Sequence, residues 1–323
     1  MFRDYKTAYM LETVPVKEKR PLSFLRQSVA YVLSQSARRI PHAAWNNQYD
    51  VTPLIEYTRS DGVGKADSGS RSSADELRKR ALRKNYSAFF LKALAHTLYN
   101  VPQLNGWLEY SPIRDGGALY LAEDINLSFT VHTKFGVIKP ILRNAHQKDL
   151  ETVAEEMRVL TRKARRTDPE VLYRRAARRY IRTALRQVDF TGLLALWIYL
   201  RSLVWQRYTP DPALEKLPEE QKLQVEDILG ATCTVANIGM MIDGHQTLTV
   251  IIPPEVSMVG IGDIRLTPLV VNGEVVPRYT VTVCGTIDHR AFDAGEVFPF
   301  GKHLQRYLDD PALIYAWKPG DPI

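Results

Sequence analysis

The stretch TVCGTIDHRAFDAGEVFPF, residues 282–300, decides how this 323-residue chain is read. A β-branched run leads into Asp288-His289-Arg290, and four residues after the histidine stands Asp293. A strand that ends on a histidine presents its imidazole at a sheet edge. There, with a pKa near ~6.5, it can take a proton from a thiol or hydroxyl at neutral pH if its tautomer and ring orientation are held. A carboxylate across the turn can help hold the loop. His-x-x-x-Asp also recurs by chance, so the neighbouring segments must decide.

Working outward, the C-terminal third alternates strands with turns. The runs TCTVANIG (232–239), LTVIIPP (248–254), VSMVGIGDI (256–264) and TPLVVNGEVVPRYTVTVCGTI (267–287) read as strands, and Asn272-Gly273 within the last is a hairpin signal. Residues 21–39 place Leu22, Leu25, Val29, Val32 and Leu33 at helical spacing, and 42–57 read as a strand passing into a short helix. The Gly/Ser-rich run 58–73 is predicted to be a loop, followed by a helix from Asp75 to Tyr99 with Phe89, Phe90, Ala93, Leu94 and Leu98 on its buried side. Strands are predicted at 117–122, 125–133 and 137–144, and a helix at 149–165. Long helices interleaved with runs of strands predict an α/β or α+β fold, with a mixed β-sheet flanked by helices.

A composition of 45% hydrophobic and 24% charged residues gives the chain a sizeable core and excludes disorder as a whole. Cys233 and Cys284 lie in apolar runs and are expected to be free thiols in a reducing compartment. The N-terminus has no apolar run of signal-peptide type, so a cytoplasmic protein is expected. Closely spaced cysteine pairs, His-Glu-x-x-His and Walker-type loops are all missing, and no metal site is expected. VGIGDI runs on into strand residues and makes a poor dinucleotide fingerprint. His42, His96, His132, His146, His245 and His303 are read as structural.

The net charge of +7 is concentrated. Between Arg158 and Arg186 lies a block of arginines with one lysine, against Asp168 and Glu170 alone, and FTGLLALWIYLRSLVW (190–205) follows at once. Sixteen residues with an internal arginine fall short of the ~20 needed to span a bilayer. Two readings stay open for 158–205: a segment lying on an anionic membrane surface, or a helical hairpin packed on its own domain or a neighbouring subunit. Nucleic acid is not an expected partner, because the block comes without a recognised binding fold.

DHRAFDAG resembles the Asp-His-Arg-x-x-Asp-Gly signature of the dihydrolipoyl acyltransferase catalytic domains of 2-oxo acid dehydrogenase complexes, relatives of chloramphenicol acetyltransferase. Other segments run in that family's order: PLSFLRQSVAYVLSQSARRIPHAAWNNQYDVTPL, YSAFFLKALAHTLYNVPQLNGWL, INLSFTVHTKFGVIKPILRNAHQKDLETVAEEM, TVANIGM and IIPPEVSMVGIGDI. The resemblance covers about residues 20–165 and 227–315. It implies a chloramphenicol acetyltransferase-like fold and a site at a trimer interface. It also implies His289 as general base on a coenzyme A or dihydrolipoyl thiol, and an oxyanion-stabilising serine on the strand matching TVANIG. An arginine of the first helix, here assigned to Arg26, pairs with an aspartate of the motif in the acetyltransferase relatives.

The chain departs from that pattern in three ways. The serine position is Ala236, and loss of one oxyanion donor costs ~10²–10³-fold in rate; Thr234 and Asn237 are alternative donors between which the sequence does not choose. The family's Asp-Gly is Asp293-Ala294. No lipoyl or subunit-binding domain is read, and 167–226 stand as a basic and apolar helical insertion within a single catalytic domain spanning 1–323. The expectation is a stand-alone acyltransferase that moves an acyl group from a thioester, acyl-coenzyme A, to a thiol or hydroxyl. Coenzyme A thioester is then a substrate, with no resident cofactor, in a homotrimer or larger assembly. The alternative is a catalytically weakened scaffold of the same fold.

Overall fold

A computed structural model describes residues 5–60, 85–111, 116–186, 208–237, 239 and 248–323. At its centre is a hairpin of two 15-residue strands. They are β9 (Ser257–Val271) and β10 (Glu274–Asp288), numbering helices and strands in chain order. The turn falls on Asn272 (φ 53°) and Gly273 (φ 87°), both left-handed, as a two-residue turn matched to strand twist requires. That turn sets the register from Glu274 opposite Val271 to Val281 opposite Ile264; a bulge between Val281 and Val283 then shifts it by one, leaving Cys284 opposite Gly260 and Ile287 opposite Ser257.

On its other edge β10 pairs antiparallel with β1 (His42–Asp50), Asp288 facing His42 and Thr280 facing Asp50. Beyond β9 lies β8 (Cys233–Asn237), parallel to it, with Ala236 opposite Gly260. β4 (Leu127–Phe129) and β7 (Ile141–Leu142) complete a six-stranded mixed sheet of order β1-β10-β9-β8-β4-β7 among the described residues. Gly285 faces Trp45 across β1 and β10, and a Cβ at 285 would come 2.0 Å from the indole ring. The glycine therefore lets Trp45 lie flat over the sheet and meet Phe300 edge-on at 5.7 Å.

One face of the sheet is covered by α4 (Tyr86–Asn100), in which every residue from Ala88 to Leu98 is buried. Phe89, Phe90 and Leu94 share a core cluster with Val235, Ile261 and Val283 of the sheet. Strand alternation turns Ala236 to the opposite face, where it joins Ile40, Ile251 and Met258. Among the described residues, the helices preceding α4 are α1 (Tyr5–Thr13), α2 (Phe24–Arg39) and α3 (Thr52–Ser60). β2 (Gly106–Ser111) and β3 (Gly116–Leu121) form a side hairpin, as do β5 (Val131–Thr133) and β6 (Gly136–Ile138). The α/β fold class expected from the sequence is the one observed.

Three sequence expectations shift. The α4 helix starts at Tyr86, not Asp75, because the Asn85 side chain accepts from Ala88 N at 3.2 Å and caps it; 61–84 lie outside the described residues. The strands predicted at 125–133 and 137–144 each break in two, at Thr130 and at Lys139-Pro140, so the chain leaves the main sheet to form the β5/β6 hairpin. Cys233 and Cys284 are free and buried, as expected.

α5 (Leu150–Arg165), in which the basic segment begins, leads into α6 (Pro169–Arg186), which continues it. Ile181 packs on Phe24 of α2, flanked by Tyr173 and Ala177. The arginines expected to stand against Asp168 and Glu170 alone find further acids that the fold brings to them. Arg158 pairs with Glu155, Arg174 with Glu170 at 3.0 Å, Arg175 with Glu219 at 2.7 Å and Arg179 with Glu226. α6 thus packs on α2 through Ile181 and pairs Arg174, Arg175 and Arg179 with acids. Residues 190–205 lie outside the described residues, and among those described no helix is long and apolar enough to cross a membrane.

Candidate active site

His289 is the first residue past β10. Asp288 N donates to Val256 O at 2.9 Å and His289 N to Pro41 O at 3.0 Å, so the main chain is pinned on both sides as it leaves the sheet. The Asp288 side chain, 1% exposed, accepts from Arg290 N at 3.0 Å and from the Arg290 guanidinium at 2.6 Å. That pairing holds the Arg290 guanidinium above its ordinary pKa, and the guanidinium also lies 5.4 Å from the centre of the Tyr110 ring. Ala291 N closes the turn onto Asp288 O at 2.9 Å.

This tight loop brings the Phe292 carbonyl back to the imidazole, 2.8 Å from Nδ1. A carbonyl can only accept, so Nδ1 is the donor, and the neutral ring keeps its lone pair on Nε2. The side chain is 47% exposed, enough for a second molecule to reach Nε2. Asp293 Oδ1 lies 3.6 Å from Nδ1, beyond hydrogen-bonding distance. Its carboxylate instead accepts from Glu296 N while Glu296 accepts from Asp293 N at 2.9 Å, a capping box that starts α7 in the next helical turn, Ala294–Val297.

The remaining candidates from the sequence sit elsewhere. Arg26 lies on the exposed side of α2 and forms no ion pair among the described residues. The expected bond from Arg26 to the motif's aspartate is replaced by Arg290, two residues from Asp288. On β8, Thr234 is fully buried and its hydroxyl is 2.8 Å from Ser128 Oγ. Asn237 points to the α4 side and donates to Ser87 Oγ at 3.0 Å. Ala236 keeps its methyl in the Ile40, Ile251 and Met258 cluster. The two thiols are no nucleophiles: burial pushes Cys233 up to about 12 and raises Cys284.

The C-terminal end of β8 opens into a cavity of about 980 Å³ between α4, α5 and the β5/β6 hairpin, lined by Ser87, Ala236, Asn237 and four arginines of the α5 region. His289 is remote from it. Position 236 lies two strands across from Cys284, and His289 lies five residues further along β10. At ~3.4 Å per residue and ~4.8 Å per strand, the two are about 20 Å apart in one chain. A second cavity, of about 1150 Å³, runs between β1 and the helix Pro299–Asp309 and is lined by Trp45, Asn47, Phe298 and Lys302 among others.

The model of the 2-oxoacid dehydrogenases acyltransferase (catalytic domain) family matches residues 15–170 and 213–316. The chain belongs to this family. The match leaves out 171–212, inside the insertion expected at 167–226. A probable dihydrolipoyllysine-residue succinyltransferase component of the 2-oxoglutarate dehydrogenase complex from Schizosaccharomyces pombe is 23% identical over 91% of this chain and 53% of its own length. The lipoamide acyltransferase component of the branched-chain α-keto acid dehydrogenase complex of Bacillus subtilis is 24% identical over 96% of this chain and 57% of its own. The chain thus spans about half the length of the curated relatives it matches. Among solved structures, the cubic core of a pyruvate dehydrogenase multienzyme complex superposes with a TM-score of 0.65 at 22% identity, covering 94% of this chain and 95% of that one. The dihydrolipoamide acetyltransferase of Azotobacter vinelandii, studied for the catalytic roles of a serine, a histidine and an asparagine, gives 0.63 at 22% identity, with 94% and 95% covered.

The motif, the order of the matching segments along the chain and the hairpin were all legible in the sequence. The Arg290 partner of Asp288 was not singled out. Its signal lies in the motif itself, where the arginine stands two residues from the acid across a turn.

Proposed function

We propose that this acyltransferase-family chain catalyses transfer of an acyl group from an acyl-coenzyme A to a thiol or hydroxyl acceptor, with His289 as the general base. The observation that carries this reading is the Nδ1 to Phe292 O bond, which leaves Nε2 unprotonated and half-exposed at the strand end. Nε2 takes the acceptor's proton. The resulting thiolate or alkoxide adds to the thioester carbonyl, the tetrahedral intermediate expels coenzyme A as thiolate, and that thiolate takes the proton back from the imidazolium. Asp293 caps the helix that follows, and Arg290 with Asp288 positions the loop.

The 20 Å gap between His289 and Ala236 supports a site completed by a second copy. His289 of one subunit then serves the cavity at β8 of its neighbour, in a trimer or larger homo-oligomer. Acyl-thioester turnover followed by free-thiol release, across a panel of acyl chains and acceptors, tests the reading. A ~10²–10⁴-fold loss in His289→Ala is expected. Turnover indifferent to that substitution, or none with any pair, removes it.

A second reading, a weakened or inactive scaffold, draws on Ala236, whose place among Ile40, Ile251 and Met258 leaves the strand without a hydroxyl there. Ala236→Ser separates the two. A rise of ~10²-fold from an already measurable rate supports a slow enzyme, whereas activity appearing only in the variant supports the scaffold.

A further inference from the structure

The last two turns of α5 and the residue after it carry Arg158, Arg162, Arg165 and Arg166 at spacings of four, three and one. These spacings stack them along one helix face, and all four line the 980 Å³ cavity that ends at Ala236. Nearer the start of the helix the same stripe is apolar, with Ala154 and Met157 on the cavity wall. His132 adds a further nitrogen base, and among the described residues no carboxylate lines the cavity. Arg158 is taken up by Glu155, and Arg166 donates to Gln221 at 2.7 Å. Arg162 and Arg165 form no ion pair among the described residues and stand exposed at the cavity edge.

A basic last turn is ordinarily explained by the helix dipole, worth ~0.3–1 kcal/mol. The dipole acts on a charge anywhere around the last turn, and so does not explain why these four guanidiniums share one stripe. Nor does it explain their opening on a cavity whose described lining holds no acid. Guanidinium is the side chain best matched to phosphate oxygens, through paired N–H donors.

We propose that Arg162 and Arg165, with Arg158 and Arg166 beside them, bind the phosphate groups of the thioester substrate, while its thioester end lies at Ala236. This rests on the acyl-transfer reading for the identity of the ligand, but binding is measured without turnover. The shared chemistry is a phosphorylated pantetheine thiol. It comes either from free coenzyme A or from a phosphopantetheine arm carried on another protein.

Calorimetric titration of the full chain with coenzyme A, adenosine 3′,5′-bisphosphate, 4′-phosphopantetheine and pantetheine tests the proposal. Coenzyme A affinity should fall ~10-fold for each charge removed in Arg162→Gln and Arg165→Gln, with a shallower salt dependence, while pantetheine binding stays unchanged. Both arginines are exposed, and an unchanged melting temperature confirms folding of each variant. Coenzyme A binding more tightly than 4′-phosphopantetheine assigns the nucleotide phosphates to the stripe, and equal affinities assign the carrier-borne arm. Variants that bind coenzyme A like the parent, pantetheine binding as tightly as coenzyme A, or no binding of any of the four at millimolar concentration would each overturn it. Arginine-dependent binding in a protein without histidine-dependent turnover would sink the acyl-transfer reading and leave this one standing.

Discussion

Asp288 and Arg290 form a 2.6 Å ion pair that bridges over His289, with the acid 1% and the arginine 23% exposed. A carboxylate so deeply set depends on its partner, because removing one side of a buried pair strands the other charge. Arg290→Ala is expected to lower stability by about 2–4 kcal/mol and to reduce turnover through loosening of the loop. Arg290→Lys should recover part of both, since a single ammonium replaces one of the two contacts of the fork. Thermal denaturation beside steady-state kinetics checks this; a full rate in a destabilised Arg290→Ala protein would show that the pair supports the fold alone.

If His289 serves the β8 cavity of a neighbour, two inactive chains can repair each other. His289→Ala and a cavity-blocking Asn237→Trp, at a side chain that lines the cavity on the α4 side, should each be inactive, and co-refolding them in equal amounts should restore roughly a quarter of the parental activity. That fraction follows because one interface in about four pairs an intact histidine with an intact cavity. Failure of the mixture, with assembly confirmed by light scattering, would place both halves of the site in one chain.

Lys92 lies at the centre of α4, fully buried, its Nζ donating to His146 O at 2.8 Å and to Ala145 O at 3.3 Å and standing 3.6 Å over the Trp317 ring. Burial is the main cause that brings its pKa down to about 7, and Asp149 opposes the shift. The unfolded chain takes up this proton below pH ~10.5, whereas the folded chain does so only below about 7. Stability should therefore rise as pH increases from about 7 towards 10.5. Burial likewise brings His96 down to about 3, which adds a loss of stability as pH falls from 6.5 towards that value. Denaturant unfolding between pH 7 and 10 should show a gain of up to roughly 4 kcal/mol, shrinking in Lys92→Met. An equal gain in the variant would assign the slope to other groups.

At Gly285 the relevant quantity is space. Gly285→Ala puts a methyl 2.0 Å from the Trp45 ring and should cost about 3 kcal/mol. Adding Trp45→Leu should recover part of it, because the obstacle is the indole and not the backbone. A single variant that melts with the parent would mean that the sheet yields there.

What was legible in the sequence was local. Asn272-Gly273 announced its turn, the DHR motif its strand end, and the 3.6-residue spacing of 21–39 its helix. What escaped depends on pairing across long separations. Glu219 and Glu226 reach Arg175 and Arg179 over 44 and 47 residues, so charge counted along the chain overstated the exposed basic surface. α4 hid its buried lysine for a different reason. A helix buried all round shows no polar face, and Lys92 reads as a solvent residue until the carbonyls of Ala145 and His146 appear beside it. The separation of His289 from Ala236 needed the register of three strands, which no single motif contains.

Gly273 precedes His289 by 16 positions, with a continuous strand between them over most of that distance. At ~3.4 Å per residue the turn sits about 50 Å from the imidazole. Strand period is two, so a slip of one residue at the turn would carry the side chains of β10 between the turn and the bulge at Val281/Val283 to the opposite face. The placement of His289 is therefore written at two points away from it, the turn at the hairpin tip and the bulge between Val281 and Val283.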